Sequence, residues 1–194
     1  MAKVYIIAGT PGIGKSTSGR YVIPPNIEIL NHDNLLLYYK YKETVAYEDL
    51  ANLKANNFIV EQLKSNNDFG IELNLGFDNH YDLLKHIKEK YSHFRIEVIL
   101  FHTDNVEICI DRVLLRAKAG GHIVERDIVL KMYENILPLI RKYAYLIQDI
   151  QLVNVDSEYL ETVYSNRIHV TSALEILPEW IKLLAPETLN LEQF

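Results

Sequence analysis

Residues 9–16 read G-T-P-G-I-G-K-S and fill every fixed position of the phosphate-binding pattern G-x-x-x-x-G-K-[ST]. Glycines let backbone N–H groups curl toward phosphate oxygens, and the start of the following helix adds its positive end. Lys15 would reach the β- and γ-phosphates, and the Ser16 hydroxyl would ligate Mg²⁺. The pattern predicts a site for a nucleoside triphosphate, ATP or GTP, while a glycine-rich turn with a chance Lys-Ser is the plainer alternative. The residues expected at the nucleotide are Gly9, Thr10, Pro11, Gly12, Ile13, Gly14, Lys15, Ser16 and Thr17.

Carboxylate and amide side chains follow two other apolar runs. Asp33 comes just after 27–30, and Glu72 and Asn74 lie at the end of 69–73. The carboxyl ends of parallel strands are where α/β proteins bind ligands, so we expect Asp33 to act as a base or near Mg²⁺. An N-cap role for a helix starting near Asn34 is the alternative. Glu72 and Asn74 are two apart and both could bind one acceptor molecule, although strand-end surface polarity explains them equally well.

Two arginines precede a pair of glycines. Arg112 and Arg116 are four residues apart, so they share one helical face just before Gly120 and Gly121. Phosphoryl transfer needs cations at the transferred group, and a hinged segment could bring these arginines over the γ-phosphate. An ordinary solvated helix face is the alternative.

Composition restricts the class of protein. The 194 residues include 48% hydrophobic and 24% charged side chains, which predicts one globular domain, 1–194, without a membrane role. The formal charge of −6 argues against general nucleic-acid binding. The first strand begins almost at residue 1, which predicts no leader and a cytoplasmic location. Cys109 is the single cysteine, so it excludes an internal disulfide and is expected to be a buried thiol.

Apolar runs alternate with helical patterns, which predicts an α/β fold with a mainly parallel sheet between helical layers. The predicted strands are 4–8, 27–30, 69–73, 95–101, 150–155 and, beside the last, 163–171. The predicted helices begin near Lys15, cover 34–65 with a break around 44–49, cover 78–91, cover 104–118 with Asp104 as N-cap, cover 125–146 with a kink at Pro138, and begin again near Ser172.

The segment D-R-V-L-L-R-A-K-A-G-G-H-I-V at 111–124 resembles the lid of the zeta-toxin-like kinases. That family has the pattern R-V-x-x-R-V-x-x-G-G-H-x-V, followed by a helix with basic residues and a tyrosine, whose counterpart here is I-V-L-K-M-Y at 128–133. With the phosphate-binding loop, Asn31-x-Asp33, Glu72 and Asn74, the resemblance covers about residues 3–156. It implies an adenylate-kinase-like P-loop fold with a helical lid at about 116–131.

The resemblance also implies a chemistry. The best-known members phosphorylate UDP-N-acetylglucosamine with ATP or GTP, and some are the toxin of a toxin–antitoxin pair, whereas many relatives are known only as predicted ATPases. The matching aspartate, Asp33, would accept or orient the proton of the acceptor hydroxyl. Relatives commonly carry Pro-Glu where this chain has Glu125-Arg126, and arginines where it has Leu130-Lys131. We assign no chemistry to His122, and for Arg126 and Lys131 a role at the phosphates and an ordinary solvated position are equally open.

The leading hypothesis is therefore a Mg²⁺-dependent phosphotransferase that acts on a small hydroxyl acceptor, with a sugar nucleotide as one acceptor class and an antitoxin as one partner. Its catalytic residues would be Lys15, Asp33, Arg112 and Arg116. A nucleotide-regulated ATPase or binding protein without an acceptor is the alternative, and a nucleotide or nucleoside kinase is a further one.

Overall fold

A computed structural model describes residues 1–42, 44–121, 123–156, 160–165 and 178–184. The described strands are β1 Lys3–Ala8, β2 Ile29–Leu30, β3 Phe69–Leu73, β4 Arg95–His102, β5 Asp149–Val155 and β6 Leu160–Ser165. The described α-helices are α1 Lys15–Ser18, α2 His32–Tyr41, α3 Tyr47–Ser65, α4 Asp82–Lys90, α5 Glu107–Lys118, α6 Arg126–Lys142 and α7 Glu179–Leu184.

The strands form one sheet in the order β2-β3-β1-β4-β5-β6. All neighbouring pairs are parallel except β5 and β6, which are antiparallel. Because β1 lies in the middle, the loop that follows it opens at the centre of the sheet's carboxyl edge. The ends of β2 and β3 then lie on one side of this loop, and the ends of β4 and β5 lie on the other.

Helices cover both faces of the sheet. Val4 and Ile6 of β1 pack into one buried cluster with α3, α4, α6 and α7, while Tyr5 and Ile7 pack into a second cluster that contains the buried face of α5. This alternation follows from the two-residue period of a strand and gives three layers. The predicted α/β P-loop fold is confirmed.

Most predicted elements lie where the sequence indicated. The predicted helix 34–65 is broken as expected, into α2 and α3, with Ala46 at a φ of 57° just before α3. The second strand is shorter than predicted, since only Ile29 and Leu30 pair with β3. The last predicted strand is described as far as Ser165, and residues 166–177, including the predicted helix start at Ser172, lie outside the described residues.

The predicted N-cap role of Asp104 in the following helix is wrong. The N-cap of α5 is Val106, which makes no side-chain cap bond. The Asp104 carboxylate instead accepts hydrogen bonds from the backbone N–H groups of Glu179 and Trp180, each at 3.0 Å. It therefore caps α7, a helix more than 70 residues further along the chain.

The end of α5 is set by its glycines. The N–H of Gly121 donates to the Arg116 carbonyl and that of Gly120 to the Ala117 carbonyl, both at 3.0 Å, and Gly120 has a φ of +84°. These bonds close the helix after its last turn, as the sequence indicated. Among the described residues, no helix combines the length and apolarity needed to cross a bilayer.

Candidate functional site

The loop between β1 and α1 is pressed against α5. Gly12 has a φ of +86°, and a Cβ there would lie 2.2 Å from the Cys109 carbonyl oxygen. Only glycine permits both this conformation and this approach. The Cys109 thiol itself is buried, which raises its pKa to about 11 and makes it a poor nucleophile.

Lys15 folds back over the loop. Its Nζ donates to the carbonyl oxygens of Gly9 at 2.6 Å and Thr10 at 3.2 Å, and to Asn74 Oδ1 at 2.8 Å. Burial lowers the Lys15 pKa to about 8, an effect that the nearby carboxylates of Glu72 and Asp33 partly oppose. The Lys15 ammonium thus lies at the centre of the loop, and the nearby carboxylates offset only part of the cost of burying its charge.

Ser16 joins the loop to the ends of β2 and β3. Its hydroxyl donates to Glu72 Oε2 at 2.7 Å and accepts a hydrogen bond from Asn31 Nδ2 at 2.9 Å. A hydroxyl beside a carboxylate suits Mg²⁺, which is commonly held by one or two protein oxygens together with phosphates and water. No cluster of three or more His, Cys, Asp or Glu suited to a metal occurs among the described residues, so the fit depends on phosphate ligands as well.

Asp33 lies in the first turn of α2, opposite the end of α5. Asn31 is the N-cap of α2, since its Oδ1 accepts from the Asn34 N–H at 3.0 Å, so Asp33 does not serve as the cap. Asp33 Oδ2 lies 3.9 Å from Arg116 Nη1, and both side chains are partly exposed. Within the described residues, Arg116 Nε and Nη2 are buried and lack a hydrogen-bond partner. The Arg116 guanidinium, with one of its nitrogens near the Asp33 carboxylate, thus faces Asp33 across the loop that follows β1.

Arg112 contacts the loop directly. Its Nη1 donates to the Ile13 carbonyl at 3.3 Å, from one turn earlier in α5 than Arg116. The two arginines therefore share a face, as their spacing predicted, but they have different partners. Arg126 Nη2 donates to Glu107 Oε1 at 2.7 Å, Lys131 Nζ lies 5.9 Å from the ring centroid of Phe77, and His122 lies outside the described residues.

The side chains of Lys15, Ser16, Asp33, Glu72, Arg112 and Arg116 line one cleft of about 1200 Å³, whereas Arg126 and Lys131 do not line it. The cleft brings together Lys15, Asp33, Glu72, Arg112 and Arg116, which come from four separate parts of the chain. Further lining residues are Asn31, Asn34, Leu37, Asn74, His80, Ile123, Val124, Glu125, Ile128, Met132, Val155, Asp156 and Leu160.

Sequence reasoning did not place Asn31 and His80 in the site. Asn31 directly follows the apolar run 27–30 and lies two residues before Asp33, so its position in the sequence could have indicated a site residue. His80 lies eight residues beyond Glu72 in a loop with no recognisable pattern, and only the fold brings it to the cleft.

Comparisons with known proteins agree with this architecture. No protein-family model matches the sequence, and no curated protein matches it. A structure from the PezAT chromosomal toxin–antitoxin system of Streptococcus pneumoniae matches 89% of this chain and 74% of its own, with a TM-score of 0.63 and 20% identity. The structure of AvrRxo1-ORF1:-ORF2 with ATP matches 85% of this chain and 58% of its own, with a TM-score of 0.63 and 13% identity.

A third match is the Pnkp1/Rnl/Hen1 RNA repair complex, over 73% of this chain and 46% of the other, with a TM-score of 0.57 and 21% identity. This chain spans less than two thirds of the AvrRxo1 and RNA-repair chains. At these identities the likeness establishes the fold. The fold that the sequence resemblance implied is thus confirmed.

Proposed function

We propose that this protein is a Mg²⁺-dependent phosphotransferase that moves the γ-phosphoryl group of ATP or GTP to a hydroxyl of a small acceptor, with a sugar nucleotide as one acceptor class. The observation that carries this proposal is the 3.9 Å approach of Asp33 to Arg116 across the loop that holds Lys15. A carboxylate, a guanidinium and a phosphate-loop lysine in one cleft are what hydroxyl phosphorylation requires.

In this reaction Asp33 takes the proton of the acceptor hydroxyl as its oxygen forms a bond to the γ-phosphorus. The bond from that phosphorus to the β–γ bridging oxygen breaks, and the nucleoside diphosphate leaves. Arg116 contributes to the transferred oxygens its Nε and Nη2 donors, which have no partner in the part of the chain that the structure describes. A lid at about 116–131 would close over the nucleotide and exclude water.

Ser16 and Glu72 would hold Mg²⁺ between them and the phosphates. The 2.7 Å hydrogen bond between Ser16 and Glu72 supports a role for Glu72 in binding Mg²⁺, in addition to the contact with the acceptor that the sequence indicated. When bound, Mg²⁺ neutralises charge on the phosphate oxygens. Asn74 is paired with Lys15 Nζ and becomes available to the acceptor when the lysine turns to phosphate.

The alternative is a nucleotide-regulated protein that binds a partner and has no acceptor. The toxin–antitoxin system and the two-component AvrRxo1 structure among the matches make an antitoxin-like partner worth testing. Such a switch needs a nucleotide site but no base beside it, so Asp33 distinguishes the two functions.

The test is transfer of label from γ-labelled ATP and GTP to UDP-N-acetylglucosamine, N-acetylglucosamine and nucleosides, with wild type and Asp33→Asn measured side by side. We expect transfer by the wild type and a loss of about 10²-fold or more in Asp33→Asn with nucleotide affinity retained, because the amide keeps the size but takes no proton. Asp68→Asn is the matched control, because Asp68 directly precedes the amino end of β3 and does not line the cleft. Equal transfer by wild type and Asp33→Asn would contradict the role of Asp33. Hydrolysis that is indifferent to Asp33, without any transfer, would favour the switch.

A further inference from the structure

The backbone that carries Asn74 is held in place by its neighbours. Asn74 directly follows β3, and the next residue, Leu75, is fully buried with a φ of +54°, a conformation that residues other than glycine rarely adopt. The hydroxyl of the buried Tyr81 donates to the Leu75 carbonyl at 3.3 Å. A Cβ at Gly76 would lie 2.6 Å from Met132 Cβ, so the backbone after Leu75 packs directly on α6. The Asn74 amide therefore has a fixed support.

Lys15, in contrast, has a flexible side chain that must change partners to reach a nucleotide. An ammonium has three N–H donors. In this structure Lys15 Nζ has three acceptors, which are the carbonyl oxygens of Gly9 and Thr10 and, at 2.8 Å, Asn74 Oδ1. A phosphate oxygen can therefore bind Lys15 only by displacing one of them.

The acceptor that a phosphate displaces is identified by its position. Asn74 lines the cleft, whereas Gly9 and Thr10 do not. A phosphate that enters from the cleft therefore competes with Asn74 for the lysine, and its charged oxygens form the stronger bond. Because the backbone of Asn74 is fixed, its amide stays at the cleft after the lysine has left.

We propose that Asn74 is a positioning residue that holds Lys15 in the nucleotide-free protein, and that its release by the nucleotide makes the nucleotide bind before the acceptor. This inference rests on the proposed function and adds the order of binding at the same site. It holds for any acceptor whose polar group uses the Asn74 oxygen. Without nucleotide, such an acceptor could take that oxygen only by leaving the Lys15 ammonium one partner short.

The two ligands are therefore coupled through one hydrogen bond. The nucleotide removes Lys15 from Asn74 and so raises the affinity for the acceptor. By thermodynamic reciprocity, the acceptor raises the affinity for the nucleotide by the same factor. The value of one hydrogen bond sets this factor at about tenfold.

The first experiment needs no acceptor. Titration calorimetry at pH 6.5 measures the Kd of a non-hydrolysable ATP analogue with Mg²⁺ for wild type, Asn74→Ala and Asn79→Ala. We expect Asn74→Ala to bind about three- to tenfold more tightly, because its lysine has no amide to give up. Asn79, an exposed asparagine in the same loop, does not line the cleft, so Asn79→Ala is the matched control. Unchanged or weaker binding by Asn74→Ala would overturn the proposal.

The pH dependence of the same Kd separates this role from a structural one. Asn74 accepts a hydrogen bond from the charged form of Lys15, so removing it lowers the Lys15 pKa below its value of about 8. We expect the Kd of Asn74→Ala to begin to rise at a lower pH than that of wild type. A general loosening of the fold, which Trp180 fluorescence would detect, leaves this pH unchanged. An unchanged pH in a folded Asn74→Ala variant would contradict the role of Asn74.

The second experiment tests the order of binding. The acceptor that gives label transfer is titrated into wild type with and without the Mg²⁺-bound analogue, and into Lys15→Ala without nucleotide. We expect wild type to bind the acceptor about tenfold more tightly with the analogue. Lys15→Ala leaves Asn74 unoccupied and should bind the acceptor more tightly than nucleotide-free wild type does, although it transfers no phosphate. Equal acceptor affinity with and without the analogue, or no gain in Lys15→Ala, would overturn the order.

These results are distinguishable from a failure of the proposed function. If wild type transfers label to no acceptor, the proposed reaction fails. The calorimetry of Asn74→Ala still decides whether Asn74 holds Lys15 until a nucleotide binds.

Discussion

At the residue scale, Lys15 is held by groups that a nucleotide would replace. Two of its three partners are backbone carbonyl oxygens of the loop, and the third is the Asn74 amide. Phosphate oxygens carry full negative charge and form stronger bonds to an ammonium than carbonyl oxygens do. Nucleotide binding therefore exchanges weak partners for strong ones and raises the Lys15 pKa from its value of about 8 in this structure.

This exchange makes nucleotide affinity dependent on pH. Above pH 8 the free protein loses the Lys15 proton, whereas the bound protein keeps it, so binding takes up a proton. We expect the Kd for ATP to be flat below pH 8 and to rise by at most about tenfold per pH unit above it. Titration calorimetry between pH 6.5 and 9.5 measures this rise. We expect Lys15→Ala to bind ATP weakly, with a Kd that does not rise above pH 8. An equal rise of Kd in Lys15→Ala would show that the Lys15 proton is not its cause.

Arg116 is expected to act on the transferred group more than on the bound nucleotide. Its Nε and Nη2 lack partners among the described residues, and charge on the phosphoryl oxygens is redistributed as the group transfers. We expect Arg116→Ala to lower kcat by about 10²–10³-fold and to weaken nucleotide affinity by much less. Lys118→Ala removes an exposed cation from the same helix and is the control. Equal losses in kcat and affinity would indicate ground-state binding alone.

At the element scale, local patterns predicted most of the fold, and long-range contacts decided the rest. The β1 and β4 runs and the end of α5 at Gly120 and Gly121 carry their own signals, so the sequence located them. Asp104 was wrongly placed as the N-cap of α5, because a partner on α7 takes its carboxylate and no local pattern reports that partner.

The same distinction applies to the site. The loop with Lys15 and Ser16 is a contiguous pattern, so its residues were predictable. The Ser16–Glu72 bond joins residues 56 positions apart and depends on the parallel pairing of β1 with β3. His80 reaches the cleft only because its loop packs on α6, which no spacing in the sequence indicates.

The contacts of Asp104 give a test of how α7 is attached. Removing the carboxylate leaves the Glu179 and Trp180 N–H groups without their acceptor. We expect Asp104→Ala to lower the free energy of unfolding by about 1–2 kcal/mol, and Asp104→Asn, which keeps one acceptor oxygen, to lower it by less. Urea denaturation followed by Trp180 fluorescence measures both. An Asp104→Ala variant as stable as wild type would show that the cap contributes nothing.

At the scale of the whole molecule, the cleft is built from segments spread over most of the described chain. The loop after β1, the start of α2, the end of β3, the face of α5 and the end of β5 all line it. A ligand that contacts all of these segments stabilises their mutual arrangement, so nucleotide binding and global folding are linked.

This linkage predicts the unfolding behaviour of the chain. If residues 1–194 form one domain, far-UV circular dichroism and the fluorescence of Trp180, the single tryptophan, will report one coincident transition. At a nucleotide concentration of about 100 times Kd, Mg²⁺-ATP should stabilise the protein by about 2.7 kcal/mol and raise Tm by about 5–10 °C. Under the proposed role of Ser16 and Glu72 as Mg²⁺ ligands, chelation of Mg²⁺ should reduce the shift. Lys15→Ala should abolish most of it, and a full shift in Lys15→Ala would show that ATP binds outside this cleft.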